Sequence, residues 1–197
     1  MSGEPQGVRA RNLRTVGALA ALFLLPLALS FYLYYGTGWR PGGHVNHGTL
    51  ITPPRPLPPL VLPRTAPGHG PAVAETFRGA WTLIYVGDGR CDEDCRRALL
   101  VMRQTRLALN SDMTRVARAW LATGTCCAGE SDPGLVVLDA SAPAAGALLE
   151  VFPAAAREHS IFVADPLGNL MMSYDARSDP HGLLDDLRQL LRLSHIG

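Results

Sequence analysis

Two cysteines separated by three residues offer the clearest chemistry in this 197-residue chain. Cys91 and Cys95 lie in the segment GDGRCDEDC, where the sulfurs can approach to form a disulfide or to hold one soft metal ion. A thiol at the start of a helix is favoured as a thiolate by the unpaired amides there. Asp92, Glu93 and Asp94 oppose the thiolate and attract a cation, which is not typical of a strongly oxidising pair. An inert disulfide whose neighbouring acids cap the helix is the alternative.

Other potential metal or redox ligands lie elsewhere along the chain. Cys126 and Cys127 are adjacent, and adjacent cysteines seldom bridge each other, so free thiols or bonds to other groups are favoured over a bridge between them. They could also be a second redox pair, metal ligands or small apolar core residues. His44, His47 and His69 lie in a Pro/Gly-rich segment and could form an accessory metal site, although solvated side chains are the more ordinary interpretation.

The cysteines need a strand before them and a helix after them, and the sequence predicts both. Residues 81–86 (WTLIYV) are rich in β-forming side chains and end at Gly87, which indicates a buried strand. A helix pattern follows over residues 92–109. Further predicted elements are strands at 116–122 and 135–138, a short helix at 144–152, a hairpin at 160–174, and a closing helix capped by Asp179 with Pro180 at its first position. This order predicts an α/β domain in which helices flank a central sheet.

Residues 16–35 (VGALAALFLLPLALSFYLYY) contain no charge and are long enough to cross a bilayer as a helix. Arg9, Arg11 and Arg14 precede this segment, whereas only Arg40 follows closely, so the N-terminus is expected in the cytoplasm. A cleaved signal peptide is the alternative. In either case the remainder of the chain meets an oxidising compartment where disulfides form.

The segment after the apolar helix is crowded with proline and glycine, including PPRPLPP at residues 53–59. Such a composition excludes a regular helix and favours extended structure. Its apolar residues suggest that parts of it lie against the domain as edge strands. The predicted organisation is therefore a cytoplasmic N-terminus (1–15), a transmembrane anchor (16–35), a Pro/Gly-rich arm (36–72) and one folded domain (73–197).

Overall composition narrows the classes of function. Apolar residues make up 47% of the chain, enough for the core of one domain, and the formal net charge is only +1. The arginines are scattered along the sequence, so no basic surface for a nucleic acid is predicted.

The segment WTLIYVGDGRCDEDC resembles the copper-site segment of the SCO/SenC family of cytochrome c oxidase assembly proteins. In that family a thioredoxin-like domain follows an N-terminal membrane anchor, and copper is bound by the two cysteines and one distant histidine. The family's histidine precedes a strand that ends in an Asp-Pro-x-Gly turn, and residues 158–168 (EHSIFVADPLG) have the same form. The resemblance therefore implies that Cys91, Cys95 and His159 are ligands of Cu(I) or Cu(II).

This resemblance implies a single-pass protein of the bacterial inner membrane, with its C-terminal domain in the periplasm. The implied function is the assembly of a respiratory copper oxidase, by delivering copper or by reducing the oxidase's copper-ligand cysteines. Either activity is favoured over turnover of a small molecule, and the implied partners are a cytochrome c oxidase subunit or its assembly factors. A general thiol-disulfide oxidoreductase, with Cys91 and Cys95 as the catalytic pair, and a non-catalytic scaffold with a degenerate site remain the alternatives.

Overall fold

The structure is a computed structural model that describes residues 6–37, 46–60, 62–63, 77–124, 132–194 and 196. It divides into two compact units, residues 1–44 and 45–197. In the first unit, helix α1 (Gln6–Phe31) continues into a π-helical turn (Tyr32–Gly36). Among the described residues, Arg11–Gly36 is the one helical segment long and apolar enough to cross a membrane.

The second unit is built on one mixed sheet with the strand order β1-β6-β5-β2-β3-β4. The strands are β1 (Thr49–Pro56), β2 (Trp81–Gly87), β3 (Val116–Ala122), β4 (Leu135–Asp139), β5 (Ser160–Ala164) and β6 (Asn169–Asp175). The helices are α2 (Glu93–Ala108), α3 (Gly146–Leu149) and α4 (Pro180–Leu193). Strands β2, β3 and β4 run parallel, and β5 and β6 form an antiparallel hairpin beside β2.

Alternate residues of β2 pack into two separate hydrophobic cores, one on each face of the sheet. Leu83 and Tyr85 pack in the cluster that contains apolar residues of α2 and α4, whereas Ile84 and Val86 pack in the cluster that contains Leu148 of α3. Every residue of β2 is buried, as expected for a central strand covered on both faces. This central position fixes the strand that carries the cysteine loop.

Most predicted elements agree with the structure, and the predicted helix at residues 144–152 is the main exception. That segment contains a short 3-10 turn and only four α-helical residues, Gly146–Leu149. The expectation that part of the arm forms an edge strand agrees with residues 49–56, which pair with β6 as the outermost strand of the sheet. Leu57 and Leu62 of the same arm are buried in the α3-side core.

Candidate redox and metal site

Cys91 and Cys95 form a disulfide at the junction between β2 and α2. Their Cα atoms lie 5.0 Å apart, within the usual range for a disulfide. Cys91 is 9% exposed and Cys95 is 1% exposed. Cys91 is therefore the residue of the pair that a partner protein can approach, and Cys95 lies beneath it in the core.

Side chains of the loop itself hold the cysteines in place. The Asp88 carboxylate accepts a hydrogen bond from the backbone N–H of Arg90 (2.9 Å), which closes a turn just before Cys91. Asp92 caps α2 by accepting from the backbone N–H of Cys95 (2.9 Å). The Arg96 guanidinium donates to the Cys91 carbonyl oxygen (3.1 Å). Cys91 has a φ of 39°, a left-handed conformation that is uncommon outside glycine, so these contacts support a strained position.

A cavity of about 230 Å³ opens beside the disulfide. Its lining residues come from β2, the cysteine loop and the turn before β5: Tyr85, Asp88, Arg90, Cys91, Asp92 and Glu158. The cavity therefore gives a partner's polar groups access to Cys91, and three carboxylate side chains face the space around it.

Tyr85 joins the cysteine-bearing strand to the turn before β5. Its hydroxyl donates to the Glu158 carbonyl oxygen (2.9 Å). Burial raises the pKa of Tyr85 far above its usual value, and the negative charges of Asp92, Glu158, Asp94 and Asp88 raise it further. The phenol consequently stays neutral and remains a hydrogen-bond donor. The same four carboxylates disfavour a thiolate at the adjoining cysteine, so they stabilise the disulfide relative to the dithiol.

Neutralising carboxylates beside the cavity should make the cysteine pair more oxidising. We expect Glu158→Gln combined with Asp94→Asn to raise the midpoint potential by roughly 10–20 mV, because a tenfold change in the equilibrium corresponds to about 30 mV and these groups are screened by water. Equilibration with thiol redox buffers, followed by alkylation of free thiols, measures the potential. Glu150→Gln is the matched control, since Glu150 is exposed, does not line the cavity and is not among the carboxylates that act on the Tyr85 hydroxyl. An unchanged or lower potential in the double variant would contradict this electrostatic account.

His159 lies at the end of the sheet where the cysteine loop begins. Tyr85 of β2 stands opposite Ile161 of β5, so the antiparallel register brings His159 alongside the end of β2. His159 is half-buried, and its carbonyl oxygen accepts from the backbone N–H of Ala176 (2.8 Å). Arg177 is the main cause of the lowered pKa of Asp175, and His159 is a minor contributor to it.

The three predicted copper ligands are not gathered into a ligand set in this oxidised form. Within residues 77–124 and 132–194, where Cys91, Cys95 and His159 all lie, no group of three His, Cys, Asp or Glu side chains is placed to hold a metal ion. Disulfide sulfurs are weak ligands for copper, which binds deprotonated thiolates. The set of Cys91, Cys95 and His159 therefore stays a prediction for the reduced chain.

Four residues that the sequence offers as possible ligands lie outside the described residues, namely Cys126, Cys127, His44 and His69. His47 is described, and it binds the carboxylate of Asp186. Sequence inspection missed Tyr85, Arg96 and Glu158 as parts of the site. The available signal was position, because Tyr85 lies two residues before the end of the cysteine-bearing strand and Glu158 is adjacent to His159.

Residues 81–194 match the family model described as "transmembrane-like, thioredoxin-like, C-terminal domain", which covers more than half of the chain. The chain belongs to this family. The match runs from the first residue of β2 to the end of α4, so the transmembrane-like, thioredoxin-like domain includes both cysteines and His159. It leaves out β1, which comes from the arm.

Solved structures with the same fold come from the Sco proteins. The apo Sco1 protein of Thermus thermophilus is 17% identical, with a TM-score of 0.51 over 76% of this chain and 99% of that one. Copper-bound yeast Sco1 is 13% identical, with a TM-score of 0.50 over 58% and 80%. BsSco, described as a Sco-family cytochrome c oxidase assembly protein with a disulfide switch, is 12% identical, with a TM-score of 0.51 over 71% and 96%.

At these identities the structural likeness shows the fold alone. It confirms the thioredoxin-like α/β fold that the sequence predicts, and it agrees with the resemblance to the SCO/SenC family at the level of fold. No curated protein matches the chain by sequence.

Proposed function

We propose that this chain is a membrane-anchored assembly factor for a respiratory copper oxidase that reduces the disulfide between the oxidase's copper-ligand cysteines. The observation that carries the proposal is the Cys91–Cys95 disulfide at the mouth of α2, with Cys91 beside a cavity and Cys95 buried beneath it. A reversible disulfide in this position can exchange with a partner's thiols. The Sco proteins that share the fold support the assignment to oxidase assembly.

The exchange begins with the reduced chain. The Cys91 thiolate attacks one sulfur of the partner disulfide, the partner's S–S bond breaks, and its other sulfur leaves as a thiolate. The Cys95 thiolate then attacks the Cys91 sulfur, which releases the second partner thiolate and closes the Cys91–Cys95 bond seen in this structure. Two electrons pass to the partner, and a dithiol donor in the same compartment must restore the reduced chain.

Surrounding charge favours this reducing direction. Asp88, Asp92, Asp94 and Glu158 all act on the Tyr85 hydroxyl next to Cys91, and each disfavours a thiolate there. A pair whose thiolate is not stabilised gives up electrons readily, in contrast to strongly oxidising pairs whose reduced form is stabilised.

Redox titration of the full chain in nanodiscs tests the exchange function. We expect the pair to equilibrate with thiol buffers at a midpoint of roughly −220 to −300 mV, the range of reducing thioredoxin-type pairs. An inert structural bridge would resist reduction and titrate below about −300 mV. A midpoint potential in that lower range would contradict the proposed thiol-exchange function.

Delivery of copper as cargo is the second candidate, and the position of His159 favours it. Reduction of the disulfide would free two thiolates next to the strand end where the β2–β5 register places His159. Thiolates suit Cu(I), and imidazole suits either oxidation state of copper. Movement of His159 or of the cysteine loop on reduction would have to complete the ligand set.

Copper titration of the reduced chain tests delivery. We expect one Cu(I) per wild-type chain and an affinity roughly tenfold or more lower in His159→Ala, because a ligand is lost. His181→Ala is the matched control, since His181 is an exposed histidine of α4 that does not line the cysteine cavity. Absence of copper binding in the wild type would remove delivery and leave thiol exchange standing.

The proposed location is the bacterial inner membrane, with the N-terminus in the cytoplasm and the cysteine domain in the periplasm. Support comes from the apolar helical segment Arg11–Gly36 and from the arginines that precede its apolar core. In intact cells we expect Ser2→Cys and Ser178→Cys to differ in labelling, each in a chain that also carries Cys126→Ser and Cys127→Ser so that the native thiols give no background. A membrane-impermeant maleimide should label the position after the helix and not the position before it, and the reverse pattern would overturn the orientation.

A further inference from the structure

Four hydrogen bonds converge on the buried carboxylate of Asp186 in α4. His47 donates from its backbone N–H (2.8 Å), and its ring Nδ1 lies 3.0 Å from the other carboxylate oxygen. The backbone N–H of Gly48 (3.1 Å) and the hydroxyl of Tyr174 (2.5 Å) donate to the same oxygen as the His47 N–H. Asp186 is 5% exposed, whereas the His47 side chain is 57% exposed. Residues of the arm thus supply three of the four contacts.

Close packing fits the arm to this position. A Cβ atom on Gly182 of α4 would lie 2.6 Å from the His47 Cβ atom, and one on Gly48 would overlap the ring of Tyr174. Real side-chain atoms cannot approach so closely. The absence of side chains at these two glycines therefore allows His47 to lie on α4 and Gly48 to lie on β6.

The strand that follows His47 is only partly paired. Thr49 and Leu50 pair with β6, the register then shifts, and pairing resumes at Arg55. Prolines at positions 53, 54 and 56 have no N–H to donate to the sheet. The contacts at Asp186 consequently hold the start of a strand whose pairing with β6 is interrupted between Leu50 and Arg55, ahead of the buried side chain of Leu57.

We propose that His47 and Asp186 form a pH-responsive latch that docks β1 onto the domain and so shortens the tether between the membrane helix and the cysteine pair. With the latch closed, residues 38–45 separate the described end of the helix segment from Asn46. Opening to Leu57 would lengthen the connection to residues 38–56, which raises its maximum span from roughly 28 Å to roughly 65 Å. The tether role rests on the proposed membrane anchoring, whereas the latch itself does not.

The charges around His47 set the direction of the pH response. Three carboxylates face His47 from α4 and from the residue that caps this helix: Asp186, Asp185 and Asp179. Asp179 also pairs with His181, and Tyr174 of β6 donates to Asp186. The bond to Asp186 raises the pKa of His47 above its ordinary value. Burial opposes ionisation of Asp186, but bonds from Tyr174, Gly48 and His47 outweigh it and lower the pKa of Asp186.

The latch is therefore strongest when Asp186 is ionised and His47 is protonated. It weakens as the pH rises through the raised pKa of His47, because the ring loses its charge, and it also weakens as the pH falls through the lowered pKa of Asp186.

Hydrogen exchange in the full chain in nanodiscs tests the latch at the amides of His47 and Gly48. In the wild type we expect protection, relative to an unstructured peptide at each pH, to fall about two- to fivefold between about pH 6 and about pH 9. His47→Ala should lower protection at pH 6 and abolish this pH dependence. Gly182→Ala should lower protection at every pH, because it displaces His47 without removing a charge.

His181→Ala is the matched control and should keep the wild-type profile, since His181 pairs with Asp179 on the exposed surface. Equal protection in wild type and His47→Ala at every pH would overturn the proposal. The midpoint potential of the cysteine pair, measured in the same samples, should not differ between these variants. If the disulfide were inert but the hydrogen-exchange profile were as expected, the proposed thiol-exchange function would be wrong and the latch would still be supported.

Discussion

Replacement of Cys95 by serine is expected to trap the chain in a stable mixed disulfide with its partner through Cys91. Cys91 is the more exposed residue of the pair and lines the cavity, so it makes the first bond, whereas the buried Cys95 is needed to release the partner. The rate at which the chain reduces a disulfide between the two copper-ligand cysteines of a peptide should fall by roughly 10³-fold or more, because the exchange needs both thiols. Acid quenching of the reaction, followed by non-reducing electrophoresis, detects the mixed-disulfide adduct.

Replacement of Cys91 by serine is the matched comparison. This variant should lose exchange to the same extent but form no adduct, because the remaining sulfur is 1% exposed. Both variants lack the same disulfide, so any difference in adduct formation reports the order of attack and not a loss of stability. If both variants supported oxidase assembly in cells as well as the wild type does, the chain would act as a scaffold and the exchange function would be wrong.

Local signals in the sequence were sufficient to predict most of the fold. Residues 81–86 carry a β-rich apolar run that ends at a glycine, and the structure has β2 at Trp81–Gly87. Asp179 and Pro180 predicted the start of α4, where the Asp179 carboxylate accepts from the backbone N–H of His181. The helix predicted at 144–152 is mostly not formed, because its alanines and leucines satisfy a helical pattern but turns at both ends shorten it to one α-helical turn.

Elements of the site that depend on tertiary contacts could not be predicted in the same way. The sequence identified Cys91 and Cys95, because spacing and position at a strand-to-helix junction are local properties. The roles of Tyr85 and Glu158 arise from a hydrogen bond between residues 73 positions apart. The bond between His47 and Asp186 spans 139 positions, and no local pattern in the arm distinguishes His47 from a solvated histidine.

The burial of Arg118 also depends on a tertiary contact that the sequence does not reveal, although its strand was predicted correctly. It lies in β3 and is only 2% exposed, although arginine is almost never fully buried without a partner. Its guanidinium donates to both carboxylate oxygens of Asp132 (2.5 and 3.2 Å) and to the Pro133 carbonyl oxygen (2.7 Å). Asp132 lies just before β4 and is 14% exposed. The ion pair therefore holds Asp132, which follows residues 125–131 with Cys126 and Cys127, against Arg118 of β3.

Asp132→Ala is expected to lower the free energy of unfolding by about 3–5 kcal/mol, because it leaves the Arg118 charge buried without its carboxylate. The double variant Arg118→Met with Asp132→Ala should recover most of this loss, since an apolar side chain tolerates the same buried site. Urea denaturation followed by tryptophan fluorescence measures both, with Trp120 two residues from Arg118 as a local reporter. Asp112→Ala is the matched control, because Asp112 pairs with Arg115 at 3.5 Å near the surface and should cost about 1 kcal/mol or less. If Asp132→Ala cost no more than Asp112→Ala, the bond to Asp132 would not be what stabilises the buried Arg118 charge, and Arg118 would have to reach water in the folded chain.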